Sequence, residues 1–329
     1  MRSPGRFLAL LALLALGAVV ASLLVGSVPI APTDALAALA GDGDEATRTI
    51  VRDLRLPRAL LGLLVGGALA LSGAALQALL GNPLADPYLL GVSGGAACGT
   101  LAAVVLGLGT AGLFGSFALP LASLAGALGA VLLVGLGASV GGRLDRGRLL
   151  LSGVVVNALA SAVLLFLLSV GDASDTRGFV FWMLGSLAGA TGDAVVSLAV
   201  YSAVGLVVLL PLARAFDALT LGEETAFTLG VSVERAKRIA YVAASLLAAA
   251  AVAHAGIIGF VGLLVPHLVR RLTYGHRALL AGSFLAGGVL LVLSDLLART
   301  LFSPNEISIG AVTALLGAPA FLVLLRRRA

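Results

Sequence analysis

The sequence is poor in charge, and that scarcity sets the first bound. Only 11% of its 329 residues are Asp, Glu, Lys or Arg, and Lys237 is the sole lysine. A soluble domain carries about 25% charged residues. Cys98 is the only cysteine, so no intrachain disulfide can form. No Gly-x-x-x-x-Gly-Lys-Ser/Thr loop occurs, so the chain has no phosphate cradle for ATP chemistry of its own. The net charge of +5 is not organised as a basic face interleaved with aromatics, so nothing points to nucleic acid.

Apolar residues fill the space that charge leaves. They make up 60% of the chain, and the mean hydropathy is +1.12. No water-soluble fold hides that much apolar surface, so membrane lipid is the expected solvent. The pattern predicts an all-α polytopic membrane protein, a single transmembrane domain over 1–329, with ten spans. These cover about 7–28, 57–80, 89–108, 115–141, 148–169, 193–213, 239–255, 256–274, 278–298 and 308–325. Phe7 to Val28 exceeds the about 7–15 residues of a cleavable signal core and is taken as a retained span.

Lys and Arg set the expected orientation. With both termini cytoplasmic, fifteen of the 21 lie inside. Six lie outside: Arg48, Arg52, Arg55, Arg58, Arg177 and Arg299. The outer group Arg48, Arg52, Arg55 and Arg58 runs against that trend. If the stretch is helical, the first three share a face. An acidic partner outside or local pairing with Asp44, Glu45 and Asp53 would each account for it. Asp295 lies four residues before Arg299 and is positioned to pair with it.

Within the second span, Gly62, Gly66, Ala70 and Ala74 form a small-residue stripe for close helix approach. Gln77 and Asn157 are polar positions inside spans, facing either a water path or a neighbouring helix. Asn82-Pro83-Leu84-Ala85-Asp86-Pro87 cannot continue a helix, and it is either a tight turn or a gate at the inner mouth. The longest inside loop, 214–238, holds a capping-box pattern from Thr220 to Glu223, a helix stop at Gly230 and a second short helix opening at Ser232. A pair of short helices under a bundle is an expected docking surface. Pro266 should kink the eighth span, and His267 follows it.

Several blocks together resemble the iron-chelate and cobalamin permease family of bacterial ABC importers. They are Arg55-Leu-Pro-Arg58, Gly66 to Gly73, Gln77 to Ala85, Leu90 to Gly94, Leu219 to Glu223 with Leu229 to Val231, Gly256 to His267, and Gly310 with Leu316 to Pro319. The resemblance implies a type II importer permease with ten spans per subunit in the bacterial inner membrane. Its implied partners are a second permease subunit, expected to be an identical copy, two cytoplasmic ATPase subunits that bind ATP and Mg, and a periplasmic or lipid-anchored substrate-binding protein. It implies docking of that binding protein by Arg55, Arg58 and Arg299. It implies ATPase coupling by Leu219, Gly222, Glu223, Glu224, Leu229 and Gly230. Gln77, Asn82, Leu84, Asp145, Arg146 and Asn157 fall at gate or path positions. Where cobalamin permeases have small hydroxyl residues, this sequence reads Asp145-Arg146-Gly147. The implied cargo is an iron-siderophore, haem or cobalamin, with the siderophore first.

Two other classes compete. Gly91-Val-Ser-Gly94 matches the short motif of rhomboid-type intramembrane proteases, with His254 or His267 as base. His254 would sit about a bilayer core from Ser93, His267 lies on the same side as Ser93, and ten spans do not fit that family. An ion-coupled secondary transporter is the alternative. Such sites need buried ion ligands near the midplane, and these spans carry almost no carboxylates.

Overall fold

A computed structural model describes residues 4–108, 117–303 and 305–326, with no side-chain description at 173–175 and 324–326. Arg2, Arg327 and Arg328, and the start of the fourth expected span at 115–116, lie outside the described residues.

The helices follow the apolar runs. In chain order they are α1 (Pro4–Leu24), α2 (Pro32–Ala40), α3 (Glu45–Arg48), α4 (Leu56–Leu80), α5 (Val92–Val105), α6 (Ala118–Ala138) and α7 (Arg146–Val170). Then come α8 (Ala173–Met183), α9 (Gly192–Leu209), α10 (Ala213–Leu219), α11 (Glu223–Thr228), α12 (Val233–Ala255), α13 (Val261–Arg270), α14 (His276–Thr300) and α15 (Ile309–Arg326). A two-residue hairpin, β1 (Ser139–Val140) with β2 (Arg143–Leu144), precedes α7. Each expected span has its helix. Among the described residues, seven segments are long and apolar enough to cross a membrane: α1, 45–80, α6, α7, 192–219, α12 and α14. The other three, α5, α13 and α15, are shorter apolar helices.

Three local expectations are corrected. The eighth span, expected over 256–274, is helical only from Val261, because Gly256 (φ 71°) and Phe260 (φ 68°) break the backbone first. Ser232 does not open a separate short helix. It precedes α12, which runs unbroken through the seventh span to Ala255. The capping box does not form either. Thr220 ends α10 with its hydroxyl donating to the Asp217 carbonyl, and Gly222 (φ 105°) leads into α11.

The second span is the core of the bundle. In its apolar window 83% of residues are buried inside the chain, against 11% for α7. The small-residue stripe, together with Gly73 beside it, makes this possible. A methyl group on Gly66 would overlap the Gly287 carbonyl, and one on Gly73 would overlap the Gly262 carbonyl. Helix α4 therefore meets α14 and α13 backbone to backbone, where dispersion between closely packed helices replaces a hydrophobic drive that lipid does not supply. Helix α7, by contrast, keeps an open apolar face, with Leu151, Val155, Leu159 and Phe166 exposed.

Candidate functional site: an arginine pocket and a coupling face joined by α4 and α14

Residues 45–80 form one continuous helix whose segment Thr49–Arg55 is π-wound. The wider turn rotates the arginines off a common face. Arg52 points to solvent, Arg48 donates to the Gly41 carbonyl (3.2 Å), and Arg55 is 6% exposed. The Arg55 guanidinium donates to the carbonyls of Leu23 (2.7 Å), in the last turn of α1, and Val28 (2.5 Å), just past its end. None of the four pairs with Asp44, Glu45 or Asp53 among the described residues. Asp44 instead caps α3 through the Thr47 N–H (2.9 Å), and hydrogen bonds from Thr47 hold its carboxyl below the usual range.

Arg58 reaches across to α14. Its Nε and Nη2 donate to both oxygens of Asp295 at 2.9–3.1 Å, and Nη1 and Nη2 donate to the two oxygens of Glu306 at 3.0 Å. Asp295 is buried and lies between two cations, with Arg299 Nε 3.7 Å away. Arg299 in turn donates to the carbonyl (2.5 Å) and hydroxyl (2.8 Å) of Ser22. Arg55, Arg58 and Arg299 so converge on one pocket of about 400 Å³, together with Glu306, Val28 and Leu54. The sequence pairing of Asp295 with Arg299 is present but is the longer contact. Two of the three arginines expected at the surface, Arg55 and Arg299, are buried.

At the other end of α4, Gln77 is 2% exposed. Its amide NH2 lies 3.2–3.4 Å from the carbonyls of Ala85, Gly262 and Leu263, so it holds the turn after α4 to the start of α13. In that turn the Asn82 side chain accepts from the Leu84 N–H (2.9 Å), and Leu84 is 40% exposed. Beyond it, Asp86 accepts from the Tyr88 N–H (2.8 Å), and Asn157 donates to the Tyr88 carbonyl (3.1 Å). The Tyr88 hydroxyl donates to the Ile258 carbonyl (2.9 Å) and accepts from the Ile258 N–H (3.1 Å). Two irregular stretches, 81–91 and 256–260, thus satisfy each other, as backbone away from water requires.

The same face carries the 213–232 segment. His276, the first residue of α14, holds Asp217 of α10 through Nδ1 (2.7 Å) and its N–H (2.9 Å). Glu223 of α11 pairs with Arg146 (3.0 Å) and Lys237 (3.1 Å). The buried Lys237 ammonium also meets Glu234 (2.6 Å) and the Leu144 carbonyl (2.7 Å), so all three of its protons find acceptors. Arg146 lies against the turn, with its Nη1 3.1 Å from where a Gly81 side chain would begin, and Asp145 caps α7 through the Arg148 N–H (2.8 Å). Leu219 is buried at 4%, so it packs the segment down and offers no contact surface. Leu221, Phe227 and Leu229 are 63–73% exposed, an apolar patch beside a cleft of about 600 Å³ that includes Glu224, Glu234 and Arg143. Gly230 (φ 83°) ends α11 as expected.

The FecCD transport family model matches residues 12–327. The chain belongs to the FecCD transport family. It is 45% identical over 286 residues to the cobalamin import system permease protein BtuC of Halobacterium salinarum, covering 86% of this chain and 75% of that one. It is 40% identical over 333 residues to the vitamin B12 import system permease protein BtuC of Salmonella paratyphi A, covering 98% and 96%. The hemin transport system permease protein HmuU of Yersinia pestis shares 40% over 277 residues, covering 84% and 83%. A solved chain described as an inward-facing conformation of a metal-chelate type ABC transporter superposes with a TM-score of 0.86 at 32% identity, covering 98% and 99%. The chain is a multi-pass membrane protein and the permease component of an ABC importer.

In this FecCD chain most residues picked out by sequence fall into two groups, 45–58 with 295 and 299 at one end and 77–86 with 145–146 and 219–230 at the other, while Asn157 lies along α7 against Tyr88. Tyr88, Asp217, His276, Phe227 and Glu306 were not picked out. Tyr88 and Phe227 carried a signal, an aromatic in a polar or broken segment. The Asp217–His276 and Arg58–Glu306 pairs are 59 and 248 residues apart and carried none.

Proposed function

We propose that this FecCD permease pairs with a second permease subunit, two cytoplasmic ATPases and an external substrate-binding protein to import a metal chelate across the bacterial inner membrane. Its termini and the 213–232 segment face the cytoplasm. The positive-inside bias of Lys and Arg supports that orientation. The relatives' names make cobalamin and haem the first cargoes to screen, with ferric siderophores beside them.

One observation carries the mechanism. Helices α4 and α14, joined at Gly66 and Gly287, hold the arginine pocket at one end. At the other they hold the Asn82 turn through Gln77 and α10 through His276. Acidic groups of the binding protein enter the arginine pocket from outside. Phe227, Leu221, Leu229 and Glu224 meet the ATPase inside. Asn82 and Leu84 form the inner gate, and Arg146 links that turn to Glu223. Motion of α11 then moves the Arg146–Glu223 pair and the gate together. The permease makes and breaks no covalent bond; it shifts between states that its partners bind unequally.

Proteoliposomes containing the permease, its genomic-neighbour ATPase and binding protein test this. Uptake of one labelled chelate should need both ATP and the binding protein. Uptake that persists without nucleotide and stops when the ion gradient is dissipated would overturn the proposal.

A further inference from the structure

A groove of about 390 Å³ runs between α9 and α12 and belongs to neither the arginine pocket nor the coupling cleft. Tyr201, Val204 and Val208 form one wall, and Ile239, Val242 and Leu246 the other. Gly205 makes its floor, since a methyl there would lie 2.5 Å from Leu247 Cδ1. Val204 and Val242 are 49% and 60% exposed, so the groove opens to the bundle exterior. From residue 238 to residue 247 it spans about 14 Å of helix, close to half of an about 30 Å hydrocarbon core.

Its chemistry changes at one end. The exposed Arg238 closes the groove on the side of the 213–232 segment. Arg238 donates to the Gly142 carbonyl and enters no salt bridge among the described residues, unlike its neighbour Lys237. Arg214, six residues beyond Val208, is exposed and likewise in no salt bridge. An apolar trough one leaflet deep that ends in an exposed guanidinium held in no salt bridge matches an acyl chain joined to a phosphate. We propose that the α9–α12 groove is a binding site for an anionic phospholipid, its acyl chain between Val204 and Val242 and its phosphate on Arg238. Placement in the cytoplasmic leaflet rests on the orientation given under the proposed function; selectivity for the anionic headgroup does not. The bound lipid staples α9 to α12, the helix that leads directly out of the coupling segment.

Native mass spectrometry of the full-length chain in detergent, titrated with dioleoyl phosphatidylglycerol or dioleoyl phosphatidylcholine, tests the site without any transport partner. The chain should retain phosphatidylglycerol over phosphatidylcholine. Arg238→Ala should lower phosphatidylglycerol retention about fivefold, the effect of one juxtamembrane cation. Val242→Trp, which fills the trough, should lower retention of both lipids, while Leu13→Trp on the exposed face of α1 should change neither. Equal retention of the two lipids by the wild type, or full phosphatidylglycerol retention by Arg238→Ala and Val242→Trp, overturns the proposal. So does disulfide cross-linking between Val242→Cys copies in membranes, because a second protein chain would then cover the groove.

Discussion

Asp295 is the residue whose charge the arginine end depends on most, and Asp295→Asn measures that dependence. Its side chain is 2% exposed and takes three hydrogen bonds from Arg58, with Arg299 3.7 Å away. The substitution keeps the shape but removes the one buried anion between two guanidinium groups whose side chains are 14% and 7% exposed. Removing one member of a buried pair costs about 3–5 kcal/mol. Glu306 also makes two bonds to Arg58, but its side chain is 46% exposed. Glu306→Gln should therefore cost about 0–1 kcal/mol. Cys98 supplies the assay. It is the only thiol, half-buried on α5 with its Sγ 3.3 Å from the Ala160 carbonyl, so a thiol-reactive fluorophore reports opening of the bundle. Unfolding titrations in mixed micelles should place Asp295→Asn several kcal/mol below the wild type and Glu306→Gln near it. If the two variants lose equal stability, or Asp295→Asn loses less than about 1 kcal/mol, the buried-pair argument is wrong.

Three other substitutions probe separate parts of the molecule. Gly66→Val should destabilise the chain by about 1–3 kcal/mol or more in the same titration, since the added carbons meet the Gly287 carbonyl. Gly62→Ala is tight only against the movable Leu187 side chain at 3.0 Å, with ordinary contacts to Val292, and should be milder. Tyr88→Phe orphans the Ile258 N–H and carbonyl at about 1–3 kcal/mol for each group, and hydrogen exchange should rise at 256–260 before it rises in α4. Phe227→Asp should leave stability within about 0.5 kcal/mol of wild type while abolishing co-purification of the ATPase, because the ring is 73% exposed.

Arg55 shows how a side chain can be legible in type and hidden in role. Its place in an outer basic cluster was plain from spacing. Its burial was not, because the π-wound turn at 49–55 changes the phase on which a face argument rests. The 214–238 segment shows the same division. Gly230 ends a helix because a residue at φ 83° strongly favours glycine. Thr220 and Glu223 match a capping box in type, yet Gly222 intervenes and Glu223 turns to Arg146 and Lys237.

The chain's apolar runs by themselves determined that it spans a membrane and about how many times, because lipid admits few alternatives to hydrogen-bonded helices. The stripe from Gly62 to Ala74 likewise announced a close helix approach. Only the tertiary structure decided which helix it meets, that α4 is the core while α7 stays open, and that Arg58, Asp295 and Glu306 form one cluster. Those outcomes rest on contacts between residues far apart in the chain. Local propensity and periodicity do not encode which distant partner a buried charge or a bare backbone will find.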